Sequence, residues 1–244
     1  MTDTTTSRRV AIVAPANAYV GPELARVLAA RGYDLVLATP DPALVGDLES
    51  LGAAVEAVDA PDGSRMVDAA MARFGTYHSV FFSSGRIALG KFARMTADDL
   101  RAAFEGNVEA PFHFVQAVLP HLVARGDGQV LVATSATAGR ATPSASVYAA
   151  TRSAATVMLQ TVGLELAATG VQVNVVGTNF MDFPEFLRGN RIETAEDRAR
   201  VEAQVPMKRL GTMTEFAAFC ATFLDGTSRF ATGQFFAYAG GWAT

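Results

Sequence analysis

Short apolar runs alternate with longer segments of helical spacing along this chain, and the alternation limits the folds available to it. The runs that predict strands cover residues 10–14, 34–38, 54–58, 79–82, 129–134, 171–176 and 233–238. Between the first two, Leu24, Val27 and Leu28 repeat at helical intervals. Strands that each lead into a helix form parallel sheets with right-handed connections. We therefore expect an α/β fold, a doubly wound parallel sheet of about seven strands with helices on both faces, as a single domain over residues 1–244.

The composition favours a role with small molecules. Half of the 244 residues are hydrophobic, enough to bury the core of such a domain. A net charge of −4, with no basic run longer than Arg8-Arg9, argues against a nucleic acid or an anionic membrane as partner. We find neither a signal peptide nor an apolar run of about 18 residues that would span a membrane. The single cysteine, Cys220, is expected to fill core, which fits a cytoplasmic location.

The stretch from Ser135 to Arg152, SATAGRATPSASVYAATR, holds the residues best suited to chemistry. Ser135 ends a predicted strand, and Tyr148 and Arg152 are four positions apart on the helix that follows. Residues at that spacing are neighbours on a helix surface. A fixed guanidinium beside a phenol favours its ionised form, and a hydroxyl donor such as Ser135 adds to the effect. The alternative is an ordinary helix with a surface tyrosine and arginine.

The loop after the first predicted strand lacks the glycines typical of dinucleotide sites in doubly wound folds. It reads APANAYVG from Ala14 to Gly21. Pro15 has no N–H to donate, and Tyr19 puts a large ring where a dinucleotide needs an open cleft. The second strand ends at Ala38-Thr39 without the acid that holds an adenosine ribose. The sequence therefore predicts no bound nicotinamide cofactor, and no metal is expected.

These features resemble a known superfamily and one family within it. A serine, twelve residues, a tyrosine, three residues and a basic residue are similar to the active site of short-chain dehydrogenases/reductases, which have lysine where this chain has Arg152. The arginine, together with an aromatic residue in the broken glycine loop, resembles the halohydrin dehalogenases. Members of that family keep the Rossmann-like fold but use a Ser-Tyr-Arg triad and no nicotinamide. The likeness extends over essentially the whole chain, as far as Gly240-Gly241-Trp242.

The resemblance implies an activity, a set of site residues and an assembly. Halohydrin dehalogenases convert vicinal haloalcohols to epoxides and reopen epoxides with small anions such as azide, cyanide, nitrite or halide. The implied catalytic residues are Ser135, Tyr148 and Arg152. We assign a halide or anion pocket to Tyr19, Thr178, Asn179 and Met181. We assign a substrate pocket to five apolar side chains, with core packing as an equal alternative: Phe82, Phe180, Phe183, Phe186 and Leu187. The resemblance also implies a homotetramer.

Two other interpretations stay open on the sequence. An NAD(P)-dependent short-chain reductase with an atypical cofactor loop would bind NADP and reduce a carbonyl compound. A binding protein without catalysis would be favoured if the triad were incomplete, and it is complete. Asn107 matches the helix-bending asparagine of the superfamily, and we interpret it as mainly structural.

Overall fold

The computed structural model describes residues 8–243, which contain a seven-stranded parallel sheet and a separate pair of short strands. The strands are β1 (Arg9–Ala14), β2 (Tyr33–Ala38), β3 (Val55–Val58), β4 (Ser79–Ser83), β5 (Gly128–Ser135), β6 (Val171–Thr178), β7 (Met181–Asp182), β8 (Gly211–Thr212) and β9 (Phe235–Tyr238). In the large sheet their order is β3-β2-β1-β4-β5-β6-β9. This arrangement confirms the predicted doubly wound fold.

Helices follow nearly every strand of the large sheet, as the alternation predicted. They are α1 (Gly21–Ala30), α2 (Pro42–Ser50), α3 (Gly63–Phe74), α4 (Ala97–Phe104), α5 (Ala110–Arg125), α6 (Ser146–Glu165), α7 (Pro184–Gly189), α8 (Ala195–Glu202) and α9 (Met213–Leu224). A π-helical segment, Glu105–Glu109, joins α4 to α5 without a break in direction. No helix within residues 8–243 is long and apolar enough to cross a membrane.

Each face of the sheet buries its own apolar cluster. Leu24 of α1, Leu44 of α2 and Phe216 of α9 pack on one face, where Cys220 is also fully buried, as predicted. Met66 of α3 and Phe114 of α5 belong to the cluster on the other face. Residues that point alternately up and down along each strand supply both clusters, because side chains alternate across a strand. The sheet is therefore buried on both sides, and only its edges can hold a site.

The order of the strands fixes which edge that is. The chain winds outward from β1 through β2 to β3, and in the other direction from β4 through β5 to β6. Connections leave β1 and β4 on opposite sides, so a crevice opens at the carboxyl ends of these central strands. The loop 15–20, the end of β5 and the start of α6 all lie at this edge. Every predicted catalytic residue follows a strand at that end.

Candidate active site

Ser135 is the last residue of β5 and begins the short 3-10 turn Ala136–Ala138. Its side chain is buried, and its Oγ accepts two hydrogen bonds, from the Thr137 main-chain N–H at 3.2 Å and from the Thr137 Oγ1 at 2.9 Å. A hydroxyl has two acceptor lone pairs and one proton to donate. With both lone pairs occupied, the Ser135 proton is free for a ligand. Thr137 was not among the predicted site residues, although a hydroxyl two residues after a strand-ending serine is a recognisable turn signal.

Tyr148 and Arg152 lie one turn apart near the start of α6, as the spacing predicted. The guanidinium carbon of Arg152 is 5.4 Å from the centre of the Tyr148 ring. Two contacts hold α6 beside the end of β5: the hydroxyls of Thr134 and Thr156 are 3.1 Å apart, and Ser153 Oγ donates to the Ala138 carbonyl at 3.4 Å. The structure therefore brings the strand that ends in Ser135 against the helix that carries Tyr148 and Arg152.

Arg152 is a buried cation with no acidic partner among the described residues. Its side chain is 7% exposed, it takes part in no ion pair within residues 8–243, and its Nε has no hydrogen-bond partner. A buried charge without a partner of opposite sign is strongly unfavourable. An isolated buried guanidinium therefore favours any anion that forms next to it, whether a phenolate or a bound ligand.

Gly85, which follows β4, makes room for this guanidinium. A Cβ built on Gly85 would lie 1.8 Å from Arg152 Nη2 and 2.7 Å from Asn107 Oδ1. The backbone φ of +146° is also one that only glycine adopts without strain. The close contact with Arg152 shows that Gly85 shapes the site.

Asn107 ties the segment after β4 to α6. It is fully buried in the π-helical segment, where its Oδ1 accepts from the Arg86 main-chain N–H at 2.8 Å. Its Nδ2 donates to the Arg86 carbonyl at 3.0 Å and to Thr151 Oγ1 at 2.9 Å. All of its polar atoms are therefore engaged in holding protein groups, which supports the structural interpretation.

Tyr19 crosses from the start of α1 to the end of β6. Its hydroxyl lies 2.5 Å from Thr178 Oγ1. Its ring packs edge-on against Phe183, with ring centres 4.9 Å apart, and at a tilt against Phe216, with ring centres 5.6 Å apart. Thr178 pairs in register with Ser135 across β5 and β6, so the Tyr19 hydroxyl is adjacent to the strand position of the catalytic serine. Burial raises the pKa of Tyr19, against the opposing effect of the hydrogen bond with Thr178, so this phenol stays protonated.

The residues present do not fit a nicotinamide dinucleotide. At the start of α1, a Cβ on Gly21 would lie 2.3 Å from the Pro15 carbonyl oxygen, so the loop's own backbone fills the space beside this glycine. Pro15 has no amide to offer a phosphate. After the end of β2, the Thr39 side chain binds another residue of the protein, since its Oγ1 donates to Asn17 Oδ1 at 3.1 Å. The Tyr19 ring across the crevice and the missing amide at Pro15 are therefore the two features that do not fit a dinucleotide.

The four residues predicted for the anion pocket lie in two neighbouring places, and their role as an anion pocket stays a prediction. Tyr19 and Thr178 meet beside Ser135, but Asn179 turns its Oδ1 onto the Phe180 main-chain N–H at 2.9 Å. Asn179 and Met181 instead line a cavity of about 320 Å³ whose lining residues do not include Tyr19 or Thr178. The Arg209–Glu215 ion pair and Tyr238 border that cavity. The change of direction at Phe180, whose φ is +55°, separates the two halves and has no clear sequence signal.

The five apolar residues assigned to the substrate pocket also divide. Phe82 is buried in the core and stacks on Phe114 with ring centres 4.0 Å apart, as the core-packing alternative expects. Phe180 is 8% exposed and packs against Trp242 in a third apolar cluster, which Phe186 and Leu187 partly cover. The ring of Phe183 packs against that of Tyr19, a residue predicted for the anion pocket. Core packing, the alternative interpretation, thus describes Phe82 and most of Phe180.

Within residues 8–243, no three histidine, cysteine, aspartate or glutamate side chains gather where a metal ion could be held. The hydroxyls, the phenol and the guanidinium at the site are groups suited to proton transfer and anion binding.

The fold and this site define a class of Rossmann-like enzymes in which a serine, a tyrosine and a basic residue act together. The chain belongs to the short-chain dehydrogenase/reductase superfamily, since a family model described as Enoyl-(Acyl carrier protein) reductase matches residues 16–243.

Individual relatives within the superfamily differ in their named activities. Oxidoreductase UcpA of Escherichia coli strain K12 is 26% identical, over 92% of this chain and 90% of that protein. A solved structure named "Dehalogenation enzyme" is 28% identical with a TM-score of 0.85, covering 97% of this chain and 98% of that one. Acetoin dehydrogenase from Enterobacter cloacae is 25% identical with a TM-score of 0.83, covering 97% and 96%.

Proposed function

We propose that this protein is a halohydrin dehalogenase that works without a cofactor. It would convert vicinal haloalcohols to epoxides and halide, and in reverse open epoxides with azide, cyanide, nitrite or halide. The observation that carries the proposal is the position of Tyr19, whose hydroxyl is 2.5 Å from Thr178, the register partner of Ser135. Its ring takes the space that a dinucleotide would need while the triad beside it is intact.

The first step of the proposed reaction is a proton transfer. The Tyr148 phenolate accepts the proton of the substrate hydroxyl, and Ser135 donates a hydrogen bond to the same oxygen. Thr137 occupies both acceptor positions on Ser135 and so directs its proton outward. The Arg152 guanidinium, 5.4 Å from the ring centre, compensates the charge on the phenolate.

The second step is an intramolecular displacement. The alkoxide oxygen forms a bond to the neighbouring carbon, and the carbon–halogen bond breaks with its electron pair leaving on the halide. The substrate supplies both the nucleophile and the leaving group, so the protein has to orient them in an anti arrangement. The neutral hydroxyls of Tyr19 and Thr178, beside Ser135, offer polar contacts on this side of the site.

A second candidate is an NAD(P)-dependent reductase. The likeness to oxidoreductase UcpA and to acetoin dehydrogenase favours it, as does the description of the family model. It requires a dinucleotide to displace Tyr19 from Thr178 and to bind a loop in which Pro15 offers no amide. The contacts of these residues favour the dehalogenase over the reductase.

One experiment separates the two candidates. The pure protein is mixed with 1-chloro-2-propanol, and halide and proton release are followed without added cofactor, while NADPH fluorescence is titrated in parallel. A dehalogenase releases equal amounts of chloride and acid and leaves NADPH fluorescence unchanged. Binding of NADPH together with reduction of a carbonyl compound, and no chloride release, would assign the reductase.

The homotetramer is also a proposal. Exposed apolar side chains on neighbouring helical segments suit subunit contacts: Leu100, Phe104, Phe112, Val123, Val157 and Leu164. Large exposed apolar surfaces on a globular protein mark interaction sites.

A further inference from the structure

A crevice of about 400 Å³ lies next to the proposed active site, on the loop between β4 and α4. Arg86, Lys91 and Arg94 contribute three cations to its lining, and Asp99 contributes one carboxylate. None of the three cations takes part in an ion pair within the described residues, whereas Asp99 is engaged in the cap of α4, where it accepts from the Thr96 main-chain N–H at 2.9 Å. With three cations and one carboxylate, the crevice therefore carries a net positive charge.

The position of this loop connects the crevice to the triad. Gly85, which contacts the Arg152 guanidinium, is the residue directly before Arg86. The Gly90 main-chain N–H donates to the Ser144 carbonyl at 2.8 Å, four residues before Tyr148. Ala88 also packs against Val147, the immediate neighbour of Tyr148. The loop is thus fixed against the start of α6, and a ligand that extends from the triad along it meets the cations.

The apolar residues of the same loop give the crevice a mixed character. Ile87 and Leu89, which lie between Arg86 and Lys91 in the chain, are 65% and 63% exposed. An apolar wall with a few charged groups is typical of a site for a small organic ligand that has a hydrocarbon part and an anionic end. Halide and azide ions have no hydrocarbon part and would not need an apolar wall. The combination favours a substrate with a carboxylate on a short carbon chain.

We infer that the Arg86–Lys91–Arg94 crevice binds the anionic end of the substrate, so that the preferred substrates are haloalcohols or epoxides with a carboxylate a few carbons from the reacting centre. The reaction itself rests on the proposed function, whereas the binding of the carboxylate does not. A negative charge on the substrate also raises its rate of association with a cationic crevice, and this increase becomes smaller as salt is added.

The test compares 6-chloro-5-hydroxyhexanoate with its methyl ester, in the wild type and in a Lys91→Gln/Arg94→Gln double variant. We expect the wild type to have a higher kcat/KM for the carboxylate, and the double variant to lower the carboxylate-to-ester ratio by about tenfold. Arg73→Gln is the matched control, because it removes an exposed cation from α3 that is outside every ion pair of the described residues, and it should leave the ratio unchanged. A ratio that is the same in the double variant as in the wild type overturns the inference.

A binding measurement separates this inference from the reaction. Calorimetric titration with 5-hydroxyhexanoate, which has no halide to lose, needs no turnover. We expect about tenfold weaker binding in the double variant and unchanged binding in Arg73→Gln. If neither chlorinated compound releases chloride, the dehalogenase proposal fails, and the titration still decides on the crevice. Equal affinity in the wild type and the double variant, or no binding to either, overturns the crevice inference.

Discussion

The two sides of the active-site edge differ in how many residues of the superfamily pattern they contain. On the side of β5 and α6, Ser135, Tyr148 and the basic residue keep their positions, and Gly85 and Asn107 support them. On the side of β1 and α1, one glycine of the loop is kept, main-chain atoms fill the space beside it, and the Tyr19 side chain reaches across to Thr178.

The difference shows which residues of the superfamily pattern this chain contains and which it lacks. The serine, tyrosine and basic residue of the superfamily pattern are present, whereas the loop after β1 has a proline and a tyrosine where the pattern has glycines. Loops on a rigid sheet can change without disturbing the strands that position catalytic groups. A proton-transfer site can therefore persist beside a lost cofactor site, and the two halves can be tested separately.

The largest effect is expected on the triad side. Tyr148→Phe removes the proposed base and should lower kcat for a chloroalcohol by about 10³-fold, because positioned general bases contribute roughly 10²–10⁴-fold. Arg152→Lys should also lose most of the turnover, since the shorter ammonium cannot reproduce the guanidinium's contact beside Gly85. Chloride release is the measurement, and circular dichroism checks that the fold is kept. Wild-type activity in Tyr148→Phe would show that the base is another group.

A smaller loss is expected from Gly85→Ala. The added methyl group would have to displace the Arg152 guanidinium, whose Nη2 would be 1.8 Å away, and we expect kcat to fall by about 10²-fold as the cation moves. The thermal midpoint should fall as well. Gly46→Ala in α2 is the control, because a Cβ there has no atom within 4 Å and the substitution favours the helix. An active Gly85→Ala enzyme would mean that the position of Arg152 does not matter for catalysis.

A still smaller change is expected on the side of the broken glycine loop. Tyr19→Phe removes the hydroxyl bonded to Thr178, and we expect kcat/KM to fall by about tenfold, the loss of roughly one hydrogen bond in a polar site. Tyr33→Phe removes a hydroxyl that donates to the Leu224 carbonyl elsewhere in the protein, and it should leave kcat/KM unchanged. NADPH should still fail to bind to Tyr19→Phe. Binding of NADPH by this variant would contradict the lack of fit to a dinucleotide described for the loop.

The last prediction concerns stability at the opposite edge of the sheet and leaves turnover unaffected. Burial, with help from Arg125 and Arg9, lowers the pKa of His78 from 6.5 to about 4, and its Nδ1 accepts from the Val10 main-chain N–H at 3.0 Å. The unfolded chain therefore binds more protons between pH 4 and 6.5, so stability rises with pH across that window and is constant above it. We expect the wild type to lose about 3 kcal/mol of unfolding free energy from pH 7 to pH 4 through this group.

Urea unfolding at a series of pH values measures this effect. His78→Asn, whose side-chain oxygen can accept the same hydrogen bond, should show a flatter dependence in that window. His113→Asn, at an exposed position of α5, should behave like the wild type. Identical pH dependence in His78→Asn and the wild type would assign the acid sensitivity to other groups.

The fold was largely predictable because every strand of the large sheet and most helices carry local signals. Apolar runs, the proline at the start of α2 and the Thr212–Glu215 capping box are all properties of neighbouring residues, and the structure places elements within a few residues of the predicted bounds. The short strands β7 and β8 carried no such signal, because their pairing joins segments about thirty residues apart in the chain.

The site was predictable only in part, for the same reason. Tyr148 and Arg152 are neighbours through helix geometry, which sequence spacing determines. The contact of Gly85 with Arg152 and that of Tyr19 with Thr178 depend on how distant segments pack, so spacing could not give them. The division of the anion pocket at Phe180 arises from a left-handed backbone turn, and an aromatic residue at a positive φ is not a pattern that predicts such a turn.

The approach of the Pro15 carbonyl to Gly21 fixes how closely α1 begins beside the loop. A side chain at position 21 would have to displace main-chain atoms only 2.3 Å away. Any residue larger than glycine would therefore shift the start of α1 and disturb the contact of Tyr19 with Thr178.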